Sequence, residues 1–200
     1  MNLYGASGHA KVIIDIVRSQ SLKIDYIIDD DPNVKILDGQ KVCHVISDEI
    51  IKGETIVSIG NNSIRKKITD KFSGNIHDAI THASAVISAS AKLNLGTVVM
   101  ANAVINASAV IGEHCIINSG AIVEHDCNLG NFVHISPNAA LAGDVNVGEG
   151  THIGIGAVVL PGINIGKWVT IGAGTVVIRD IPDGVVAVGN PAQIIKENRI

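Results

Sequence analysis

The sequence predicts a mixed fold: a small N-terminal α/β domain followed by a parallel β-helix of hexapeptide repeats. Three observations predict it. Every sixth residue from Ile87 to Val177 is Ile, Leu or Val, with no step skipped. Four residues after each comes a second column that is small or β-branched, for example Ala91, Cys115, Val133 and Thr175. The chain before Ile87 lacks this clock and alternates short β-rich runs with amphipathic ones.

The N-terminal elements follow in order. Residues 2–5 (NLYG) and 25–29 (DYIID) read as strands. Between them GHAKVIIDIVRS is expected to be a helix, with Val12, Ile13, Ile16 and Val17 on one face. KVCHVI, SDEIIKG, ETIVSIG and NNSIRKKITDKF then read as strand, helix, strand, helix. Alternation of this kind builds a small parallel sheet. We place a Rossmann-like domain at 1–80 and the β-helix with its cap at 84–200, the boundary falling near 78–86.

A period of six fits neither a helix nor a hairpin array. It fits the hexapeptide β-helix, in which each repeat makes one short strand and one turn and three repeats close a triangular coil of about eighteen residues. The two columns are expected to point inward. Coils should stack at the parallel-strand spacing of about 4.8 Å. Gly112, Gly130, Gly148, Gly154, Gly166 and Gly172 follow the aliphatic column, where turns are expected to need permissive backbone. DIPDGVVAVGNPAQIIKENRI breaks the clock and is expected to cap the open end of the prism.

Composition narrows the function. A net charge of −4 gives no basic footprint for nucleic acid. No apolar run reaches the ~18–20 residues of a membrane span, and the N-terminus lacks a signal-peptide pattern. Cys43, Cys115 and Cys127 have no metal-like spacing and suit a reducing cytoplasm. Aromatics are only 2%, so the prism's core must be thin and filled by small aliphatics.

Two places carry candidate chemistry. GASGHAK at 5–11 joins a strand to a helix, where backbone N–H groups can hold a phosphate; a plain tight turn is the competing reading. Asp29, Asp30 and Asp31 close the next strand, where such a domain places an acid against a ribose or base; a solvated acidic turn before Pro32 competes. IGNN at 59–62 ends another strand beside the same crevice. The second place is VEHDCNLGNFVHIS at 123–136. In the six-residue frame His125 and Asp126 point outward, and an adjacent acid can fix an imidazole's tautomer and raise its basicity. Gly143 falls one coil above His125, which leaves room beside the ring and an approachable N–H. His134 and His152 should stack, but two ligands do not make a metal site. His114 is expected at the surface, and Cys127, in an inward slot, is not expected to be a nucleophile. A metal-dependent hydratase would need three converging histidines. An ice-binding helix would need ranks of outward threonines.

The clock, the GASGHAK start, the VEHD segment and the closing GNPA together resemble the bacterial hexapeptide-repeat nucleotide-sugar acetyltransferases. That branch includes UDP-4-amino-sugar and GDP-perosamine N-acetyltransferases and proteins described as sialic acid O-acetyltransferases. The resemblance implies a left-handed β-helix, against the usual right-handed crossover. It implies a cytoplasmic homotrimer that binds acetyl-CoA in a groove between prisms, with no metal and no membrane insertion. The N-terminal domain would hold the nucleotide-sugar, and the product would feed a surface glycan or glycoprotein. O-acetylation of sialic acid or a related sugar is the competing activity. Residue by residue, His125 matches the general base, and Asp126 stands where Glu is often found. Asn118 and the backbone of Gly143 complete the catalytic set, Gly143 as oxyanion donor. His134, Ile155 and Ala173 match the acetyl-CoA positions. Gly8, His9, Asp29, Asp30 and Gly60 match the nucleotide-sugar positions.

Overall fold

The structure, a computed structural model, describes residues 1–72 and 74–198. The N-terminal domain runs β1 (Asn2–Tyr4), α1 (Gly8–Ser19), β2 (Tyr26–Ile28), β3 (Ile36–Leu37), β4 (Gln40–Cys43), α2 (Asp48–Lys52), β5 (Thr55–Val57) and α3 (Asn62–Lys71). Sheet order is β3-β4-β2-β1-β5. The strands are parallel except β3, which forms an antiparallel hairpin with β4. That hairpin was not among the expected elements, although Asp38 and Gly39 both take positive φ, the signature of a type I′ turn. Helix α1 buries Ala10, Ile13, Ile14 and Val17, the i, i+3, i+4, i+7 stripe, together with Ile16. Val12, expected on that face, is 39% exposed, because Ile14 rather than Val12 continues the stripe from Ala10.

The remainder is a prism of parallel two-residue rungs in three sheets. Rungs pair with a constant offset, as in Ile117 with Ile135 and Ile135 with Ile153. The first rung is Ile80–Thr81, paired with Val98–Val99, one hexapeptide before Ile87. Both sequence columns fill the core: Ile117, Val123, Ile135 and Leu141 alternate with Ala121, Cys127, Val133 and Ala139, all fully buried. The inward hydroxyls are satisfied. Thr97 donates to Gly112 O at 2.8 Å and accepts from the Cys115 amide at 3.0 Å; Thr151 does the same with Gly166 O and the Val169 amide.

The glycines after the aliphatic column are there for a different reason from the one expected. Their φ values are ordinary. A Cβ on Gly112 would lie 2.6 Å from the Gly130 carbonyl carbon one coil above, and on Gly148 2.6 Å from that of Gly166. Close stacking demands them. The left-handed backbone falls two residues later, at Asn102, Ser108, His114, Asp126, Phe132, Asn138, Asp144 and Trp168.

The N-terminal domain sits on the eight-stranded sheet. Leu3, Ile13 and Ile56 share a core with Ile80, Val98, Met100 and Ile116 of the first coils. The outward column of that sheet changes character upward, from Val98 and Ile116 to His134, His152 and Thr170. The lower members are covered by the domain, and the upper ones carry polar groups. At the far end Val185–Val188 extends the same sheet and pairs antiparallel with Gln193–Glu197, which caps it. The last two residues of the expected cap lie outside the described residues.

Candidate active site

The hexapeptide geometry leaves two backbone groups over in each turn. The amide of the fourth residue donates to the third-residue carbonyl one coil below, as Asp144 N does to His125 O at 2.9 Å and Gly162 N to Gly143 O at 3.0 Å. The third residue's N–H and the fourth residue's C=O stay outside the ladder. His125, Gly143, Ile155 and Ala173 are all third residues. Among the described residues the amides of Gly143, Ile155 and Ala173 have no backbone partner. Unpaired N–H groups at a corner suit a developing oxyanion or the amide carbonyls of an extended ligand.

His125 and Asp126 occupy the turn after the rung Ile122–Val123. His125 Nδ1 lies 2.8 Å from Asp126 Oδ2, and both side chains are 60% exposed. The hydrogen bond to Asp126 raises the imidazole's pKa above its ordinary value, with the acids Glu124 and Asp144 adding to it. Asp126 takes the left-handed φ of 62° that swings its short carboxylate back to the ring. The imidazole lies close against Gly143, where a Cβ would meet its Cε1 at 2.5 Å and its Nε2 at 2.6 Å. No larger residue fits there without moving the ring.

The other candidates gather between the eight-stranded sheet and the N-terminal domain. His134 and His152 stack with centroids 4.7 Å apart and planes at 8°. Asn118 accepts from the Ser119 amide through Oδ1, so its Nδ2 faces His134 Nε2 at 3.0 Å and the His134 proton sits on Nδ1. Ser136 Oγ meets His152 Nε2 at 2.7 Å. His9, from the first turn of α1, lies 6.5 Å from His134 and packs against Gly60. Burial, aided by His152, Arg65 and His9, pushes His134 down to about 2, and burial with Arg65 pushes His9 to about 4. These imidazoles are therefore neutral at physiological pH.

The nucleotide-side candidates lie just beyond the C-terminal ends of β1, β2 and β5. Asp29 accepts from the Ala6 amide at 2.6 Å and the Asp31 amide at 2.9 Å, so it buckles the loop at 5–8 to the end of β2. Asp30, exposed, accepts from Tyr4 Oη at 2.7 Å. Gly5, at φ +113°, lets that loop pass the Ser58 carbonyl and the Ile59 side chain. Gly8 begins α1 and is exposed, leaving the helix N-terminus open.

The chain thus brings Gly8, His9, Asp29, Asp30, Gly60, Asn118 and His134 to one side. It does not bring His125, Asp126 or Gly143 to them: the whole six-stranded sheet separates their corner from the corner of Asn118, Ile155 and Ala173. His114 corrects the sequence expectation. It is only 3% exposed, stacked at 5.1 Å on Phe132 beneath α3. Cys127 is buried, its Sγ 3.2 Å from Ala142 O, and burial raises its thiol pKa. Sequence reasoning did not single out Arg65, which lies in NNSIRKKITDKF, read only as a helix; only the partner surface distinguishes Arg65 from its lysine neighbours. Among the described residues no group of three or more His, Cys, Asp or Glu is placed to hold a metal ion, and no helix is long and apolar enough to cross a membrane.

Known proteins match both halves of the chain. The family model described as PglD N-terminal domain matches residues 1–72, and that described as bacterial transferase hexapeptide (six repeats) matches 144–179. UDP-N-acetylbacillosamine N-acetyltransferase of Bacillus subtilis (strain 168) is 42% identical over 113 residues, a match spanning 49% of this chain and only 50% of that protein. A variant of perosamine N-acetyltransferase from Caulobacter crescentus, solved with CoA and GDP-perosamine, superposes with a TM-score of 0.93 at 40% identity, covering 98% of this chain and 96% of that one. The acetyltransferase domain of PglB from Neisseria gonorrhoeae FA1090, solved with acetyl coenzyme A, gives 0.89 at 36% identity, covering 97% and 98%.

Proposed function

The chain belongs to the left-handed β-helix nucleotide-sugar N-acetyltransferases, and from that premise we propose that it moves the acetyl group of acetyl-CoA onto the amino group of a nucleotide-linked amino sugar. The substrate class we favour is a UDP-linked 4-amino-4,6-dideoxy sugar, with the GDP-linked amino sugar second. Relatives of both nucleotide classes stand at similar identity, 42% over 113 residues and 40% overall. The product would serve a bacterial surface glycan or glycoprotein, made in the cytoplasm.

The observation that carries this reading is His125 hydrogen-bonded to Asp126 and lying against a residue with no side chain and an unpaired N–H. Asp126 accepts a hydrogen bond from Nδ1–H, which leaves the Nε2 lone pair for substrate. Neutral His125 removes a proton from the sugar nitrogen as that nitrogen bonds to the thioester carbon. The Gly143 N–H stabilises the oxyanion. The C–S bond breaks, CoA leaves as thiolate, and the imidazolium returns the proton to sulfur. Both substrates meet directly, so no acyl-enzyme is required. Pantetheine would lie along the corner of His134, Ile155 and Ala173; the nucleotide would lie across Gly8, His9, Asp29, Asp30 and Gly60.

A second copy completes the site in this reading, in a homotrimer. The sheet between the two corners carries an apolar outward column that includes Val86, Val104, Ile122 and Val158, with Val86 63% and Val158 41% exposed. Packing that column against neighbouring prisms brings His125 of one copy to the His134 corner of the next. The deciding experiment is thiol release from acetyl-CoA with UDP- and GDP-linked 4-amino sugars and with free sialic acid. Turnover on a nucleotide-linked amine supports the proposal. Turnover on sialic acid alone replaces it with O-acetylation.

A further inference from the structure

Helix α3 meets the prism along one corner, and there the leftover backbone carbonyls are taken by side chains. The fourth residues of successive coils on this corner are His114, Phe132, Gly150 and Trp168. Arg65 Nε donates to His114 O at 2.8 Å and Nη2 to Phe132 O at 3.0 Å. Asn62 Nδ2 donates to Gly150 O at 3.0 Å, and Asn198 Nδ2 to Trp168 O at 2.7 Å. The guanidinium then turns back to its own domain, with Nη1 to Ile59 O at 2.9 Å and Gly60 O at 3.3 Å, and Nη2 to Asn62 Oδ1 at 2.9 Å. Arg65 is 1% exposed, and no carboxylate of the described residues pairs with it. Carbonyl dipoles alone meet its charge, a costly arrangement to keep as mere filler. Lys66 adds a further contact one coil apart, 5.0 Å over the Phe132 ring and 3.7 Å from Glu149.

We propose that Arg65 and Asn62 are positioning residues that set the height of the Ile59–Asn62 loop along the prism by reading three stacked carbonyls. Coils repeat at about 4.8 Å, and the change from Ile116 to His134 in the outward column selects the coil. Directed hydrogen bonds to three consecutive carbonyls then fix the loop within that coil spacing. At the correct height Gly60 and His9 stand beside His134. One coil away, the loop that holds the nucleotide-sugar would miss the histidine wall. The same buried cation helps hold His9, His114, His134 and His152 neutral, since it lowers the pKa of each.

This inference rests on the acetyltransferase reading for its kinetic consequence but not for its structural one, so the test has two arms. Asn62→Ala is the mild variant and Arg65→Lys the conservative one; Arg65→Gln removes the charge. In the full chain, hydrogen exchange of the amides at positions 64 and 65, which donate to Asn61 in the loop, should quicken about tenfold or more in each variant, while amides of the distant rungs at Val123 and Val159 keep their rates. In the kinetic arm, KM for the amino-sugar nucleotide should rise about tenfold in Asn62→Ala, with KM for acetyl-CoA unchanged, and Arg65→Lys should retain more affinity than Arg65→Gln. Unchanged exchange at positions 64 and 65, or equal acceleration throughout the chain, overturns the proposal. So does an equal rise in both KM values. If the unmodified protein releases no thiol with any nucleotide-linked amine, the functional reading fails, while the exchange arm still decides the positioning role.

Discussion

In the proposed mechanism His125 carries the proton transfer, and its environment makes specific demands on experiment. His125→Ala should lower kcat by about 10²–10⁴, the usual contribution of a general base, with the fold unchanged by circular dichroism. The acid beside it sets the pH dependence. The proposed mechanism needs neutral His125, so kcat/KM should rise with pH through the imidazole's pKa. Asp126 raises that pKa, so Asp126→Asn should move the rising limb to lower pH while lowering the plateau. A limb that stays in place would show that another group titrates. His125 was legible in the sequence because its outward slot follows from counting in sixes. Its partner ring surface, Gly143, was legible from the same count. His114 was not: the frame places its carbonyl and side chain at a corner, but only the packing of α3 buries that corner.

At the level of the rung and the turn, two kinds of glycine separate cleanly. Gly148 has ordinary φ but no room, since a methyl group there would stand 2.6 Å from the backbone of Gly166 and Lys167. Gly156 has room but a φ of +65°. Gly148→Ala should destabilise by about 1–3 kcal/mol through overpacking against unyielding backbone, read as a fall in Tm. Gly156→Ala should cost only the left-handed backbone penalty, about 1–2 kcal/mol. Equal tolerance of Gly148→Ala would mean that neighbouring coils are less rigidly stacked than these distances imply. The clock revealed where glycines stand but not why, because periodicity along the chain carries no direct measure of the spacing between coils. In the α/β domain the strands and helices were legible from their periods. The β3–β4 hairpin was not, as its strands are short and its sole local signal is Asp38-Gly39.

Across the whole molecule, association and acid stability are the exposed predictions. The apolar outward column should hold copies together, so sedimentation at micromolar concentration should report a trimer, and Ile122→Lys with Val158→Lys should yield monomers that have lost turnover. Lowering pH should destabilise the fold in a defined window. His9 and His114 are pushed by burial to about 4 in the folded state, against about 6.5 unfolded. Above the unfolded value both states are neutral. As pH falls towards 4 the unfolded chain takes up protons that the folded one refuses, so stability should drop by up to about 1.4 kcal/mol per pH unit for each group. Thermal melts that stay flat from pH 7 to 4 would refute this. The sequence by itself determined the prism, its register, the outward placing of His125 and the family resemblance, because an inward column every sixth residue admits one stacking. Only the tertiary structure decided how the N-terminal domain sits on that prism and which polar groups it buries. The buried Arg65, the carbonyl column and the shared wall of His9, His134 and His152 arise from two surfaces meeting, and contacts between distant segments leave no period in the chain.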